Sequence, residues 1–257
     1  MSAAIHDARV YHKQLFLGAD SFDPAQQWKV ASALCAYQEL GTSQGEELGF
    51  GESWLSEQGF FWVLVRLRTV LSLQPTIGFI RGETWKQAET GVLWRRDYRL
   101  SSLENRELSA AVGMWALLDR QSRRVLRPEH HPHGYPLVAD RMALPQTPRK
   151  LPHRRIASPD LLTRHRVSYA DLDANGHTHN ARYAEWLCDA LPYDLLCEHR
   201  VGTLQIDFIS ETKHGQEILL CGEALSPDRR RWSFSAKSGE ELCFLADMEL
   251  IPVIEER

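Results

Sequence analysis

The chain has 257 residues, 43% hydrophobic and 25% charged, the balance of an ordinary globular protein with room for one large core or two of half the length. Its formal net charge of −4 supplies no global field for binding nucleic acid. No apolar run approaches the ~20 residues of a membrane-spanning helix, and MSAAIHDARVYHKQLF lacks the pattern of a secretory signal.

The first predicted element is a strand, Ala8 to Leu17. A helix follows: Phe22, Trp28, Ala31, Leu34, Cys35 and Leu40 fall near a 3.6-residue period, with Asp20 or Ser21 as cap and Gly41 as terminator. Phe61 to Leu73 alternates as a strand with one apolar face. Ile77 to Ser101 reads as one or two strands, and Leu108 to Leu126 as another, with Arg120 to Arg124 near a turn. Seven prolines then punctuate residues 128–160, which read as a linker laid over the surface.

The order of elements then repeats at about 150-residue spacing. Arg164 to Tyr169 is a short strand, Asn180 to about His199 a helix, and strands follow near Gly202 to Ile209, Glu217 to Leu225, Arg231 to Ala236 and Glu241 to Ile251. One helix per half beside many strands predicts an α+β fold, an antiparallel sheet with the helix on one face. The five cysteines are scattered, odd in number and free of C-x-x-C pairs. They read as reduced thiols in a cytoplasm.

The densest polar cluster is Asp171-Leu172-Asp173-Ala174-Asn175-Gly176-His177-Thr178-His179-Asn180, between a strand and a helix. Gly176 permits a tight path, Asn180 is a suitable N-cap, and amides at the helix start suit an oxyanion. An Asx-rich turn with a cap is the purely structural alternative, and a His177-x-His179 zinc site a third. Gly41-Thr42-Ser43-Gln44-Gly45 fits the G-x-S-x-G of a serine hydrolase, but that elbow needs a strand before the serine and the pattern places a helix there. His130-His131-Pro132-His133 reads as an exposed histidine cluster in the linker. The arginine clusters, among them Arg123, Arg124 and Arg127, read as solvated loops or as a docking face for an acidic partner.

Asp171-x-Asp173-x-Asn175-Gly176-His177-x-x-Asn180-x-x-Tyr183-x-x-Trp186 resembles the signature of the acyl-ACP thioesterases of plants and bacteria. Leu204 to Thr212 resembles their second catalytic strand. Gly49-Phe50-Gly51-Glu52-Ser53-Trp54, Trp62-Val63-Leu64-Val65-Arg66 and Gly82-Glu83-Thr84-Trp85 resemble their Gly-rich turn and following strands. The resemblance implies two tandem hotdog domains, each an antiparallel sheet around one long helix: residues 1–127, with the acyl pocket, and 161–257, with the catalytic residues, joined by the linker 128–160. It implies a catalytic group of Asp173, Asn175, His177 and Glu211, with Asn180, Tyr183, Trp186 and Thr212 at the substrate. Many plant members carry a cysteine where Thr212 stands, so no thiol nucleophile is available there and water attack is favoured. The first half has Asp20-Ser21-Phe22-Asp23-Pro24 at its helix start and no D-x-N-x-H.

The implied function is hydrolysis of fatty acyl-ACP, with acyl carrier protein and a fatty acyl thioester as partners. No cofactor, metal, nucleic acid or membrane is implied, and either a monomer or a homodimer fits. An acyl-CoA thioesterase and a non-catalytic acyl-binding protein of the same fold remain open, as does the choice of carboxylate for general base.

Overall fold

The computed structural model describes residues 9–87, 91–132, 134–152 and 160–253. The first half forms β1 (Tyr11–Leu17), α1 (Val30–Glu47), α2 (Glu52–Gln58), β2 (Phe60–Leu71), β3 (Gly78–Lys86), β4 (Leu93–Ser101) and β5 (Glu107–Asp119). The second forms β6 (Asp160–Arg166), α3 (Asn180–Asp189), α4 (Tyr193–Glu198), β7 (His199–Phe208), β8 (Glu217–Ala224), β9 (Arg231–Ser238) and β10 (Glu241–Pro252). All ten strands join one antiparallel sheet in the order β1-β3-β4-β5-β2-β7-β10-β9-β8-β6. Outward from the middle the two halves read alike: β2, β5, β4, β3, β1 on one side and β7, β10, β9, β8, β6 on the other. Among the described residues no helix is long and apolar enough to cross a membrane.

Helix α1 starts at Val30, so Phe22 and Trp28 precede it and pair with each other as an isolated bridge. Lys29, not Asp20 or Ser21, is its N-cap. Gly41 does not close it. The helix runs on to Glu47 and ends at Gly49, whose φ of 76° takes the left-handed turn. Phe50 N–H donates to the Gly45 carbonyl (2.8 Å) and Gly49 N–H to that of Glu46 (3.0 Å), the paired bonds of a glycine-terminated helix. Ser43 therefore lies inside a helix, with its hydroxyl bonded to Lys13 Nζ (2.9 Å), and no nucleophile elbow forms. The buried stripe Val30, Ala33, Leu34, Tyr37, Leu40, Gln44 lays α1 on the sheet. Gly82 on β3 makes that approach possible, since a Cβ there would stand 2.8 Å from fully buried Leu40.

The predicted second helix is two. α3 ends at Asp189, and Pro192 starts α4, because a proline ring cannot continue the ladder behind it. Helix α2 went unforeseen in its glycine-rich surroundings. α1 and α3 pack together on one face of the sheet and share one continuous core.

The opposite face is covered by residues of the 128–160 segment, stitched down by two buried ion pairs. Arg66 on β2 faces Asp207 on β7 across the seam, Nε to Oδ1 2.8 Å, and its Nη1 donates to the Pro148 carbonyl (3.0 Å). Asp207 Oδ2 accepts the Leu151 N–H (2.9 Å). On β4, Arg95 grips Asp97 with two bonds (2.7 and 2.9 Å) and donates to the Leu144 carbonyl, while Asp97 accepts the Ala143 N–H (2.7 Å). Tyr135 and Val138 of this segment are buried. So is His131, against the rings of Trp62 and Trp94, contrary to the exposed cluster expected; His133 lies outside the described residues.

Truncating one partner of the seam pair leaves a buried charge alone. Asp207→Ala is expected to cost about 3–5 kcal/mol in urea denaturation, and the double variant Arg66→Met/Asp207→Leu markedly less.

Candidate active site

The polar cluster begins on a 3-10 turn, Tyr169–Asp171. Asp171 anchors it: Oδ2 accepts Ser168 N–H (2.7 Å), Ser168 Oγ–H (2.8 Å) and His165 Nε2 (3.0 Å). Burial pushes this carboxyl up, but those donors outweigh it and hold it below the usual range. Asp173 then shapes the loop. Its Oδ1 accepts the N–H groups of Asn175 (2.8 Å) and His177 (3.2 Å), while its own N–H donates to the His177 carbonyl (2.8 Å). Gly176 turns the chain at φ 76°.

The same loop exists in the first half, with other side chains. Asp23 N–H donates to the Gln27 carbonyl (2.9 Å), Gln27 N–H to Asp23 Oδ1 (2.8 Å), and Gln26 sits at φ 59° where Gly176 sits at 76°. The Phe22–Trp28 bridge answers the Leu172–Thr178 bridge. Ala25 and Gln27 thus stand where Asn175 and His177 stand. The backbone is duplicated and the amide and imidazole are not.

Helix α3 is capped by His179 rather than by Asn180. His179 Nδ1 accepts the Ala181 N–H (3.3 Å), which requires a neutral ring. Burial, the largest cause, pushes this histidine below its usual range, with Arg182 adding and Asp173 and Glu185 opposing. The rings of His177 and His179 therefore take separate tasks. Thr178, His179, Ala181 and Arg182 N–H groups all have acceptors at this helix start. That of Asn180 has none among the described residues.

His177 Nε2 lies 3.5 Å from Glu211 Oε2, both side chains about 30% exposed, so both meet solvent and each other. They stand at a cavity of about 710 Å³ that Asp173, Asn175, Asn180 and Tyr183 also line. Its remaining walls come mostly from the first half: Gly41, Gly45 and Glu46 of α1, Leu55 of α2, Trp62 to Leu64 of β2, and Trp94, Arg96, Tyr98 and Trp115 beyond. Glycines inside a helix cost about 1 kcal/mol each against alanine. Here Gly41 and Gly45, one turn apart, open space along the cavity wall.

Two of the anticipated residues stand behind the cavity and do not line it. Trp186 is buried, lies tilted against His165 (centroids 4.4 Å apart) and directs Nε1 at Asp171 Oδ1 (3.4 Å). Thr212 is fully buried. Its hydroxyl donates to Thr178 Oγ1 (2.6 Å), meets Tyr183 Oη (2.9 Å), and ties the start of α3 to the chain beside Glu211. Sequence reasoning missed Arg123, whose guanidinium pairs with Glu211 Oε2 and lies over the Phe61 ring. It reaches there from the turn after β5, at φ 59°. Its only trace in the sequence is a basic cluster.

Residues 8–130 match the family model of the acyl-ACP thioesterase N-terminal domain, and residues 157–245 that of the C-terminal domain. The chain belongs to the acyl-ACP thioesterase family. An oleoyl-acyl carrier protein thioesterase of Coriandrum sativum is 24% identical over 202 residues, 70% of this chain and 53% of that protein. The chain thus spans about half the length of the curated relatives it matches. The acyl-ACP thioesterase structure from Bacteroides thetaiotaomicron superposes with a TM-score of 0.82 at 19% identity, covering 95% of this chain and 98% of that one. The 12:0-ACP thioesterase of Umbellularia californica gives 0.83 at 17%, covering 96% and 99%. The family's tandem hotdog fold is therefore the fold of this chain.

The neutral cap at His179 makes stability pH-dependent. Its folded pKa lies below its unfolded value of about 6.5, so between the two the unfolded chain binds more protons. Stability is thus expected to fall as pH drops through that window. His179→Asn, which keeps an acceptor without titrating, is expected to flatten the dependence in melting curves, and His179→Ala to cost about 1 kcal/mol at neutral pH.

Proposed function

We propose that this protein hydrolyses fatty acyl-ACP, releasing free fatty acid and the carrier thiol. The observation that carries this is the meeting of His177 and Glu211, 3.5 Å apart, at the edge of a cavity walled by the other half of the chain. Residues 1–127 supply the acyl chamber and residues 161–257 the chemistry.

A thioester in the chamber brings its carbonyl to the loop at 173–180. Glu211 takes a proton from a water molecule as that water attacks the carbonyl carbon. The oxyanion receives the Asn180 backbone N–H and the Asn175 side-chain amide. Collapse breaks the carbon–sulfur bond, and the leaving sulfur takes a proton from His177, which regains one from Glu211. Asp173 is committed to two backbone N–H groups, and this favours Glu211 over Asp173 as the base. Arg123 holds one Glu211 oxygen in place. Tyr183 and Thr212 brace the helix start, and Trp186 holds Asp171 from behind. The five free thiols suit a cytoplasmic setting.

Glu211→Gln and His177→Ala are each expected to lower kcat for acyl-ACP by about two orders of magnitude or more, read by thiol release, with the fold unchanged by circular dichroism. Near-normal turnover in Glu211→Gln would remove it as base. Exposed Arg124 and Arg127 flank Arg123 and suit an acidic carrier. Reversing both to Glu is expected to raise KM for acyl-ACP about tenfold and to leave acyl-CoA hydrolysis unchanged. Equal losses on both carriers would favour the acyl-CoA reading.

A further inference from the structure

The far end of the chamber is not apolar. Arg96 on β4 is half-buried and lines the cavity. Its Nη1 donates to Gln44 Oε1 (2.5 Å) and weakly to Thr84 Oγ1 (3.4 Å), and its Nη2 to Tyr135 Oη. All three partners are neutral, and among the described residues no carboxylate lies within ion-pair distance of it. Those that line the cavity are engaged elsewhere. Glu46 accepts the Glu52 N–H (2.8 Å), Glu52 pairs with Arg120, Asp173 shapes its loop, and Glu211 pairs with Arg123. Hydrogen bonds to neutral groups and the Tyr135 ring, 5.3 Å from the guanidinium carbon, keep this group charged without supplying the anion that would neutralise it. An apolar chain end pressed against this wall would strip the remaining water from it.

Arg96 is also remote from the chemistry. Three strand spacings, about 14 Å, separate β4 from β7, which leads into Glu211. A group reaching Arg96 is therefore the far end of the acyl chain, and a carrier bound at the mouth does not approach it.

We propose that Arg96 is a specificity-determining residue that binds a carboxylate at the distal end of the acyl chain, so that the preferred substrates are ω-carboxyacyl thioesters rather than methyl-ended ones. Gln44 and Tyr135 hold the guanidinium fork toward the chamber. This rests on the acyl-thioester reading above. A planar fork matches a carboxylate with two parallel bonds, which a hydroxyl or a methyl cannot return.

The test compares molecules of equal length that differ only at the far end. The wild-type protein is titrated calorimetrically with decanedioate and with decanoate, and assayed for hydrolysis of the matched ω-carboxydecanoyl and undecanoyl thioesters. Decanedioate is expected to bind at least about tenfold more tightly, and the ω-carboxy thioester to show a similar advantage in kcat/KM. Arg96→Leu should invert both preferences, and Arg96→Lys should keep a reduced one. Equal or weaker binding of decanedioate by the wild-type protein overturns the proposal without any variant, so misfolding of Arg96→Leu cannot shield it. If neither thioester is hydrolysed while decanedioate still binds selectively, the hydrolytic reading fails and the Arg96 site stands.

Discussion

The antiparallel pairing of β2 with β7 carries the molecule. Two five-stranded units, each with one long helix, would expose a long unpaired edge at β2 and at β7, and joining those edges satisfies both. The register of that seam sets Arg66 opposite Asp207, and the pair is buried only because the connecting segment crosses over it and bonds to both members. The segment is thus a strap tied to the seam. It also turns Tyr135 inward to help close the chamber, so the closing of the fold and the closing of the site are one event.

The two like units carry two like loops, one before each core helix. Both have the same hydrogen-bonded backbone, anchored by Asp23 in one and Asp173 in the other. Only the second carries an imidazole and a nearby carboxylate. The first unit lends the cavity most of its walls. Its longer helix keeps Gly41 and Gly45 along the cavity, and its strands add Trp62, Trp94 and Trp115. In the second unit Pro192 breaks the helix after α3 and starts α4. Residues of both units thus line one cavity within a single chain.

Around Glu211 the contributions come from three distant stretches. His177 arrives from the loop before α3, Arg123 from the turn after β5, and Glu211 from just beyond the seam strand. The hydroxyls of Thr178, Thr212 and Tyr183 lock the first and last of these together beneath the surface. Of the two members of this hydroxyl chain expected at the substrate, Tyr183 also lines the cavity and Thr212 stands behind it.

Periodicity in the sequence determined the strands, the doubling of their order and the two core helices, because alternation and a 3.6-residue repeat are local consequences of burying one face. The cluster from Asp171 to Asn180 was equally legible, since its bonds close within ten residues. Helix ends were not. Gly41 reads as a terminator locally, yet the cavity tolerates it and Gly49 ends the helix, and His179 caps α3 because burial keeps its ring neutral. Nor was the pairing of Arg123 with Glu211, the stitching of Arg66 to Asp207, or the solitary charge of Arg96. Each depends on which strand lies beside which, and that order is decided only when the two halves meet at the seam.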